Sequence, residues 1–242
     1  MSLGILYGIG VGPGDPELIT VKGARALGKS KQVFVPKPRA GAESLALSIA
    51  REYINRDALI TTLVFPMSGD PGEIERCRLE SARVVADALM QGEDACYLTL
   101  GDPLLYSTYV YLMRALRTIC PQAEIVTVPG VTAFSAAAAL SDFPLGAGPE
   151  PLHIVPAAGD PSAVKRAMEL PGTVVLMKIG RRLRKVLGLL RETDGIDRAV
   201  FVARAGLEGQ RIEHDPWVLA EENEDAGNMS VLIVHTSGGD AK

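Results

Sequence analysis

Short apolar runs alternate along this chain with longer stretches in which apolar residues recur every three or four positions. Runs of the first kind are typical of buried strands, and stretches of the second kind are typical of amphipathic helices. In the first half the pattern predicts strands at 3–11, 32–36, 59–65 and 95–100. It predicts helices at 16–28, 43–55, 73–91 and from the loop at 101–103 to about 118. Regular alternation of strand and helix is typical of an α/β fold with a mostly parallel sheet.

The second half continues with strands but is less regular. A strand at 124–128 precedes a helix of small residues, VTAFSAAAALS, and further strands are predicted at 152–156, 173–178, 198–203 and 230–235. The polar stretch 206–227 is predicted to be a solvated loop. Because Cys120-Pro121 breaks a helix, we predict two α/β domains, an N-terminal one at 1–120 and a C-terminal one at 121–242.

Composition narrows the class of protein. Apolar residues make up 47% of the chain, which is enough for a buried core, and the net charge of -4 argues against a nucleic-acid partner. The three cysteines and three histidines are scattered without metal-ligand spacing, so we expect no metal site and reduced thiols in a cytoplasmic protein. No apolar stretch is long enough to predict a membrane span, and the N-terminus does not resemble a signal peptide.

The stretch GIGVGPGDP at 8–16 follows the first predicted strand. Asp15 is suited to cap a helix, and Pro16 is suited to its first turn. The dinucleotide-binding pattern G-x-G-x-x-G does not fit, because the third glycine position falls on Pro13 or on Asp15. The stretch therefore predicts a strand, a tight loop and a helix. The loop is either a structural turn or a place where backbone approaches a ligand.

Four such loops follow predicted strands, where open α/β sheets bind their ligands. They are GVGPGDP at 10–16, LGDPLLYST at 100–108, VPGVTAF at 128–134 and the end of VVLMKIG at 174–180. Each alone is also an ordinary turn signal. Their shared position at strand ends favours a binding role.

In this order and spacing, the GxGPGDP loop, the GDP after a strand and PGVTA resemble the tetrapyrrole methylase family over nearly the whole chain. ESLALSIA at 43–50, FPMSGD at 65–70 and PEPLHIVPA at 149–157 are most similar to its C20 methyltransferases. The resemblance implies two α/β domains with an active-site cleft between them and S-adenosyl-L-methionine (SAM) as the methyl donor. It also implies precorrin-2 or cobalt-factor II as acceptor in cobalamin biosynthesis, and a homodimer.

The resemblance also assigns residues to the SAM site. They are Pro13, Leu100, Gly101, Asp102, Leu105, Thr132, Ala133, Met177 and Ala205. Asp102 is the charged member, and it is equally suited to cap a helix before Pro103.

Methyl transfer to a meso carbon needs a base for the departing proton. The sequence leaves four candidates open, Asp102, Tyr106, Glu150 and His153, and a substrate carboxylate is a further possibility. A carboxylate-rich acceptor also calls for cations. Those at predicted strand ends are Lys37, Arg39, Lys178, Arg181, Arg182 and Arg204, although each alone is also an ordinary surface charge.

Two alternatives stay open. The first is another member of the same family, such as a C11, C17 or uroporphyrinogen methylase. The second is a non-catalytic nucleotide-binding module, which would bind NAD or ATP and ignore SAM.

Overall fold

The computed structural model describes residues 2–37, 43–66, 69–222 and 224–237. The chain divides into two compact units, one ending at Thr132 and the other beginning at Ala133. Each unit has its own five-stranded sheet with helices, which confirms the prediction of two α/β domains.

The N-terminal unit is built on a wholly parallel sheet in the order β3-β2-β4-β1-β5. Its strands are β1 (Ile5–Gly10), β2 (Gln32–Lys37), β3 (Leu59–Val64), β4 (Ala95–Thr99) and β5 (Glu124–Val128). Its helices are α1 (Val21–Lys29), α2 (Leu45–Ala50), α3 (Pro71–Met90) and α4 (Tyr109–Ile119). Alternate side chains of the strands face opposite sides, and one side packs against α3 and α4 around the buried Tyr97 and Tyr109.

The C-terminal unit has a mixed sheet in the order β6-β7-β10-β8-β9. It begins with α5 (Ala133–Leu140) and continues with β6 (Leu152–Pro156), α6 (Pro161–Met168), β7 (Gly172–Met177), α7 (Leu183–Arg191), β8 (Ile196–Ala203), β9 (Arg211–Glu213) and β10 (Ser230–Thr236). One core of this unit joins α6 and α7 to the sheet around Leu176, Phe201 and Leu232.

The two units divide later in the chain than the predicted boundary between 120 and 121. The reason is β5, which pairs in parallel with β1 and therefore completes the first sheet. Cys120-Pro121 does end α4, as the sequence indicated, but it marks a connection within the first unit.

Two predicted helices begin later than expected. The first is split into a 3-10 turn at Pro16–Leu18, capped by Asp15, and the helix α1, capped by the Thr20 side chain. The second, α4, begins at Tyr109, well after Gly101-Asp102-Pro103. Tyr106 has a left-handed backbone (φ 51°), which an α-helix cannot accommodate, so α4 starts only beyond it.

Two other predictions need correction. The helix expected at 43–55 is the shorter α2, followed by a 3-10 turn at Arg51–Tyr53. The stretch 206–227 is not simply a loop, because it contains β9 and two further 3-10 turns, Pro216–Glu221 and Glu224–Gly227. A three-residue strand is too short to reveal itself by alternation.

Candidate functional site

The carboxyl ends of the five parallel strands lie along one edge of the N-terminal sheet. In the order β3-β2-β4-β1-β5, the strands β4 and β1 are neighbours. The connection from β1 runs to β2, towards one end of the sheet, and the connection from β4 runs to β5, at the opposite end. Connections from the neighbouring strands β1 and β4 therefore run in opposite directions. Such a switch point is where open α/β sheets bind ligands, and the loops 10–16 and 100–108 both leave the sheet there.

Three glycines bring the loops after β1, β4 and β5 into backbone contact. A Cβ on Gly10 would lie 2.5 Å from the Gly101 carbonyl oxygen, and a Cβ on Gly130 would overlap the same atom. The loops also pair directly, since the Gly101 N–H donates to the Gly12 carbonyl oxygen at 2.8 Å. Neither Gly10 nor Gly130 can be replaced unless the loops move apart. We call Gly10, Gly101 and Gly130 the glycine junction.

Asp102 links two of these loops through its carboxylate. Its Oδ1 accepts a hydrogen bond from the Leu104 backbone N–H at 2.9 Å, and its Oδ2 accepts one from the Gly130 N–H at 3.1 Å. Asp102 therefore caps a turn and fastens the loop after β5. Each carboxylate oxygen can accept a second hydrogen bond, so these bonds leave room for a ligand.

Hydroxyl groups hold both ends of the loop 100–108. The Thr99 and Ser107 side-chain oxygens lie 2.6 Å apart, and Ser107 also accepts from the Tyr109 N–H. Next to them the Tyr97 hydroxyl bonds the Thr108 hydroxyl at 2.8 Å. We did not identify these groups from the sequence. The Ser-Thr pair directly before α4 is the kind of helix-start signal that points to them.

The part of this loop between its fixed ends presents apolar surface. Leu100 is 38% exposed, Tyr106 41% and Leu104 58%, and Leu105 is half-buried. Among the described residues no hydrogen bond reaches the Tyr106 hydroxyl. A bulky left-handed residue is strained, and such strain is often kept for function.

Four more of the predicted site residues lie on these loops or at the end of a neighbouring strand. Pro13 is buried and follows Gly12, whose φ of 78° suits glycine. Lys37 ends β2 at the same edge and is half-buried. Thr132 and Ala133 are half-buried and stand at the division between the units, where α5 begins. Arg39 lies outside the described residues.

In the C-terminal unit, β6, β7 and β8 share one direction, and their carboxyl ends share one edge. Met177 ends β7 and is half-buried, while Ala205 lies just beyond β8 and is buried. Lys178 and Arg204 each follow the last residue of a strand at this edge. Lys178 is an exposed residue, and partial desolvation of its ammonium by nearby atoms lowers its pKa.

Arg181 and Arg182 form the 3-10 turn that follows β7, and both are exposed. The Arg181 Nε lies 3.6 Å from an Asp225 carboxylate oxygen. An exposed ion pair of this length contributes little to stability.

Two of the four candidate bases lie at the opposite edge of the C-terminal sheet. His153 is near the start of β6, and its Nε2 is 3.2 Å from the Pro171 carbonyl oxygen, just before β7. The Glu150 carboxylate is 4.0 Å from His235, which pairs with Thr173 at the start of β7. The length of β7 separates this edge from Met177 by about 16 Å. Glu150 and His153 are therefore not brought together with Met177 and Ala205, contrary to our expectation of one site.

Within the described ranges, no cluster of three or more His, Cys, Asp or Glu side chains is arranged to hold a metal ion. None of the described helices combines the length and hydrophobicity needed to cross a bilayer.

A parallel-sheet unit whose glycine loops meet at a switch point is typical of α/β proteins that bind a small ligand. The profile of the family Tetrapyrrole (Corrin/Porphyrin) Methylases matches residues 5–217. The chain belongs to this family, which confirms the resemblance that the sequence motifs predicted.

Two relatives with similar sequences agree with this assignment. The cobalt-precorrin-2 C(20)-methyltransferase of Salmonella typhimurium is 34% identical over 208 residues, 86% of each chain. The precorrin-2 C(20)-methyltransferase of a Sinorhizobium species is 30% identical over 97% of this chain and 96% of its own.

Solved structures share the fold. A cobalt-precorrin-4 methyltransferase superposes with a TM-score of 0.74 at 23% identity, over 95% of this chain and 94% of its own. The uroporphyrin-III C-methyltransferase of Thermus thermophilus, complexed with S-adenosylhomocysteine, gives 0.66 at 23% identity over 96% and 97%.

Proposed function

We propose that this protein transfers a methyl group from SAM to C20 of precorrin-2 or of cobalt-factor II in cobalamin biosynthesis. The glycine junction carries the proposal, because its loops contain the residues that the family resemblance assigns to SAM. The names of the Salmonella and Sinorhizobium relatives support C20 as the position and a precorrin-2 skeleton as the acceptor.

The residues at the switch point suit SAM. Bare backbone at Gly101 lets a ligand approach closely, and Leu100 and Leu105 offer apolar contact beside it. The Asp102 carboxylate can accept from ribose hydroxyls or face the methionine ammonium while it keeps its two backbone bonds. When bound, SAM supplies a methyl group on a sulfonium, ready for displacement by a carbon nucleophile. In the C-terminal unit, Met177 and Ala205 are the proposed contacts.

The protein's task is chiefly alignment. Donor and acceptor must be held about 3–3.5 Å apart in line, and rigid loops achieve this better than mobile ones. The bonds from Asp102 and Ser107 supply that rigidity.

Four residues are candidates for removing the C20 proton. Of these, we infer that Tyr106 is the one that contacts the acceptor. Asp102 is assigned to the methyl donor, SAM, and Glu150 and His153 lie at the far edge of the C-terminal sheet. The Tyr106 hydroxyl has no partner in the described part of the chain. Tyr106→Phe is expected to lower turnover about a hundredfold or more, within the range of acid–base groups. Full turnover by this variant would remove Tyr106 from the chemistry.

One experiment tests the function. The protein is incubated with SAM carrying a carbon-13 methyl group and, separately, with precorrin-2 and cobalt-factor II, followed by mass spectrometry and NMR. A new methyl signal at C20 is expected, and the better acceptor shows whether cobalt is present. A signal at C11, C17 or C2 would identify another tetrapyrrole methylase. Absence of turnover, with thermal stabilisation by NAD or ATP but not by SAM, would identify a nucleotide-binding module.

We also infer that the enzyme is a cytoplasmic homodimer. The family resemblance supports the dimer, and three free cysteines support a reducing compartment. Light scattering coupled to size exclusion should give twice the 25.7 kDa chain mass. A monomer mass at micromolar concentration would refute the dimer.

A further inference from the structure

Five residues other than glycine have a left-handed backbone in the described part of the chain. They are Tyr106, Asp142, Lys178, Arg204 and Met229, with φ between 49° and 56°. For such residues this conformation is strained by the contact of Cβ with the backbone, and glycine avoids most of that strain. Lys178 and Arg204 stand out, because each is a cation placed directly after a parallel strand.

The two residues lie at one edge of the C-terminal sheet. Ser230 pairs with Ala203, and the register of β10 with β7 sets Lys178 level with Ser230 as well. The Arg204 N–H donates to the Met229 carbonyl oxygen at 2.9 Å, one step further along. With only β10 between β7 and β8, the two backbones stand roughly 10 Å apart.

Neither cation has a carboxylate partner among the described residues, although other cations at this edge do. Arg211 donates to Glu213 and Glu222, and Arg181 lies near Asp225. The Arg204 Nε donates to the Glu208 carbonyl oxygen at 2.7 Å, which fixes the guanidinium and leaves its outer N–H groups for another acceptor. The lowered pKa of Lys178 is consistent with a partly desolvated, uncompensated charge.

Glycine is close at hand in both loops. Gly180 and Gly206, each two residues after one of these cations, are themselves left-handed. The sequence thus uses glycine for that conformation in the same turns, yet retains a long cationic side chain at the strand end. Glycine would adopt the same conformation without strain, so the presence of a strained cationic residue points to a role for its side chain.

We propose that Lys178 and Arg204 form a two-cation site at the carboxyl edge of the C-terminal sheet, and that it binds two carboxylates of the acceptor. The identity of the ligand as a carboxylate-rich tetrapyrrole rests on the proposed function. The site itself rests on the two strand ends, their strained backbone and their unpaired charges.

A set of variants separates charge from strain. Lys178→Met removes the charge and keeps the strain, so it should raise the acceptor KM about tenfold with the SAM Kd unchanged and an unfolding midpoint below that of Lys178→Gly. Lys178→Gly and Arg204→Gly should raise the acceptor KM similarly and raise the unfolding midpoint by about 2 °C. Lys178→Arg should stay within about threefold of the native KM, because the charge is retained.

Asp142→Gly is the matched control. Asp142 is also left-handed, but it follows α5 near Phe143, against which Arg198 packs at the other edge of the sheet. This variant should be stabilised without any change in the acceptor KM. An unchanged KM in Lys178→Met and Arg204→Gly would overturn the proposal. Glycine variants that are less stable than the native protein would overturn the strain argument.

Direct binding of uroporphyrin, followed by fluorescence, keeps this test apart from the test of function. Uroporphyrin carries eight carboxylates and needs no methyl transfer. If the native protein methylates no acceptor, the proposed function fails, and the two-cation site is judged by uroporphyrin affinity alone. Equal affinity of the native protein and a Lys178→Met/Arg204→Gly double variant would then refute the site.

Discussion

At the scale of single residues, the Asp102 carboxylate accepts one hydrogen bond within its own loop and one from the loop after β5. Asp102→Ala should weaken SAM binding by about 1–3 kcal/mol, because two hydrogen bonds to a carboxylate are lost and the loops lose alignment. Asp102→Asn, which retains one acceptor oxygen, should lose less. Titration calorimetry on folded variants measures both. Unchanged SAM affinity in the alanine variant would show that Asp102 serves neither the ligand nor its loops.

The glycine junction is the second test at this scale. Gly10→Ala and Gly130→Ala should each destabilise the protein by several kcal/mol and abolish SAM binding, because the added Cβ collides with backbone atoms. Gly188→Ala is the control, since no atom lies within 4 Å of its added Cβ on α7. It should stabilise by about 0.5–1 kcal/mol. If urea unfolding shows that Gly10→Ala is as stable as Gly188→Ala, the close contact between Gly10 and the Gly101 carbonyl oxygen is contradicted.

At the scale of elements, β4 is buried along its whole length, and its Cys96 shows the effect of that burial. Burial raises the pKa of the thiol to about 12, although the Ser30 hydroxyl 3.0 Å away opposes the shift. The unfolded chain releases this proton near pH 9, whereas the folded chain keeps it. The free energy of unfolding should therefore fall as the pH rises from 9 towards 12.

Cys96→Ala should remove this contribution, which is about 1 kcal/mol between pH 9 and pH 10. Urea unfolding at several pH values measures it, in reducing buffer. The difference in the free energy of unfolding between the two proteins at pH 7 measures the packing lost in Cys96→Ala. Only the further change in that difference at high pH is due to ionisation of the thiol. Parallel pH curves for the two proteins would show that Cys96 ionises normally.

The sequence predicted most elements of both sheets because their apolar runs are short, bounded by glycine or proline, and regularly spaced. It misplaced the unit boundary because strand pairing is long-range. Nothing local to 124–128 says that this segment pairs with β1 at the start of the chain. The start of α4 was missed because the left-handed backbone of Tyr106 cannot be inferred from the pattern of apolar and polar residues.

The candidate site was predictable to a similar extent. Loops after strands were found because position at a strand end is visible in the sequence. The direction of β6 relative to β7 in a mixed sheet is not visible in the sequence, and so Glu150 and His153 were grouped with Met177. The Asp102 bond to Gly130 spans 28 residues and depends on the glycine junction, which only the folded backbone shows.

At the scale of the whole molecule, a net charge of -4 opposes the approach of a polyanionic acceptor, so local cations must offset it. The acceptor KM should rise with salt between 50 and 300 mM, because exposed ion pairs are screened over roughly 8 Å at physiological ionic strength. SAM affinity should change little. Steady-state kinetics with each substrate varied in turn gives both quantities, and a salt-independent acceptor KM would contradict electrostatic recognition.

Arg181→Ala and Arg182→Ala refine this prediction. Both should raise the acceptor KM without abolishing turnover, as expected when binding and not chemistry is lost. Arg182 should matter more, because Arg181 already lies near Asp225. A larger effect at Arg181 would indicate that its ion pair breaks on binding.

The place of β10 between β7 and β8 has a consequence for synthesis of the chain. The ribosome delivers β7 and β8 well before β10, and until then no strand joins them. Lys178 and Arg204 are therefore brought to a common edge only when β10 inserts. A nascent or prematurely terminated chain that lacks β10 has both cations but cannot set them side by side. Binding of carboxylates at this edge is therefore expected only of a chain in which β10 has joined the sheet.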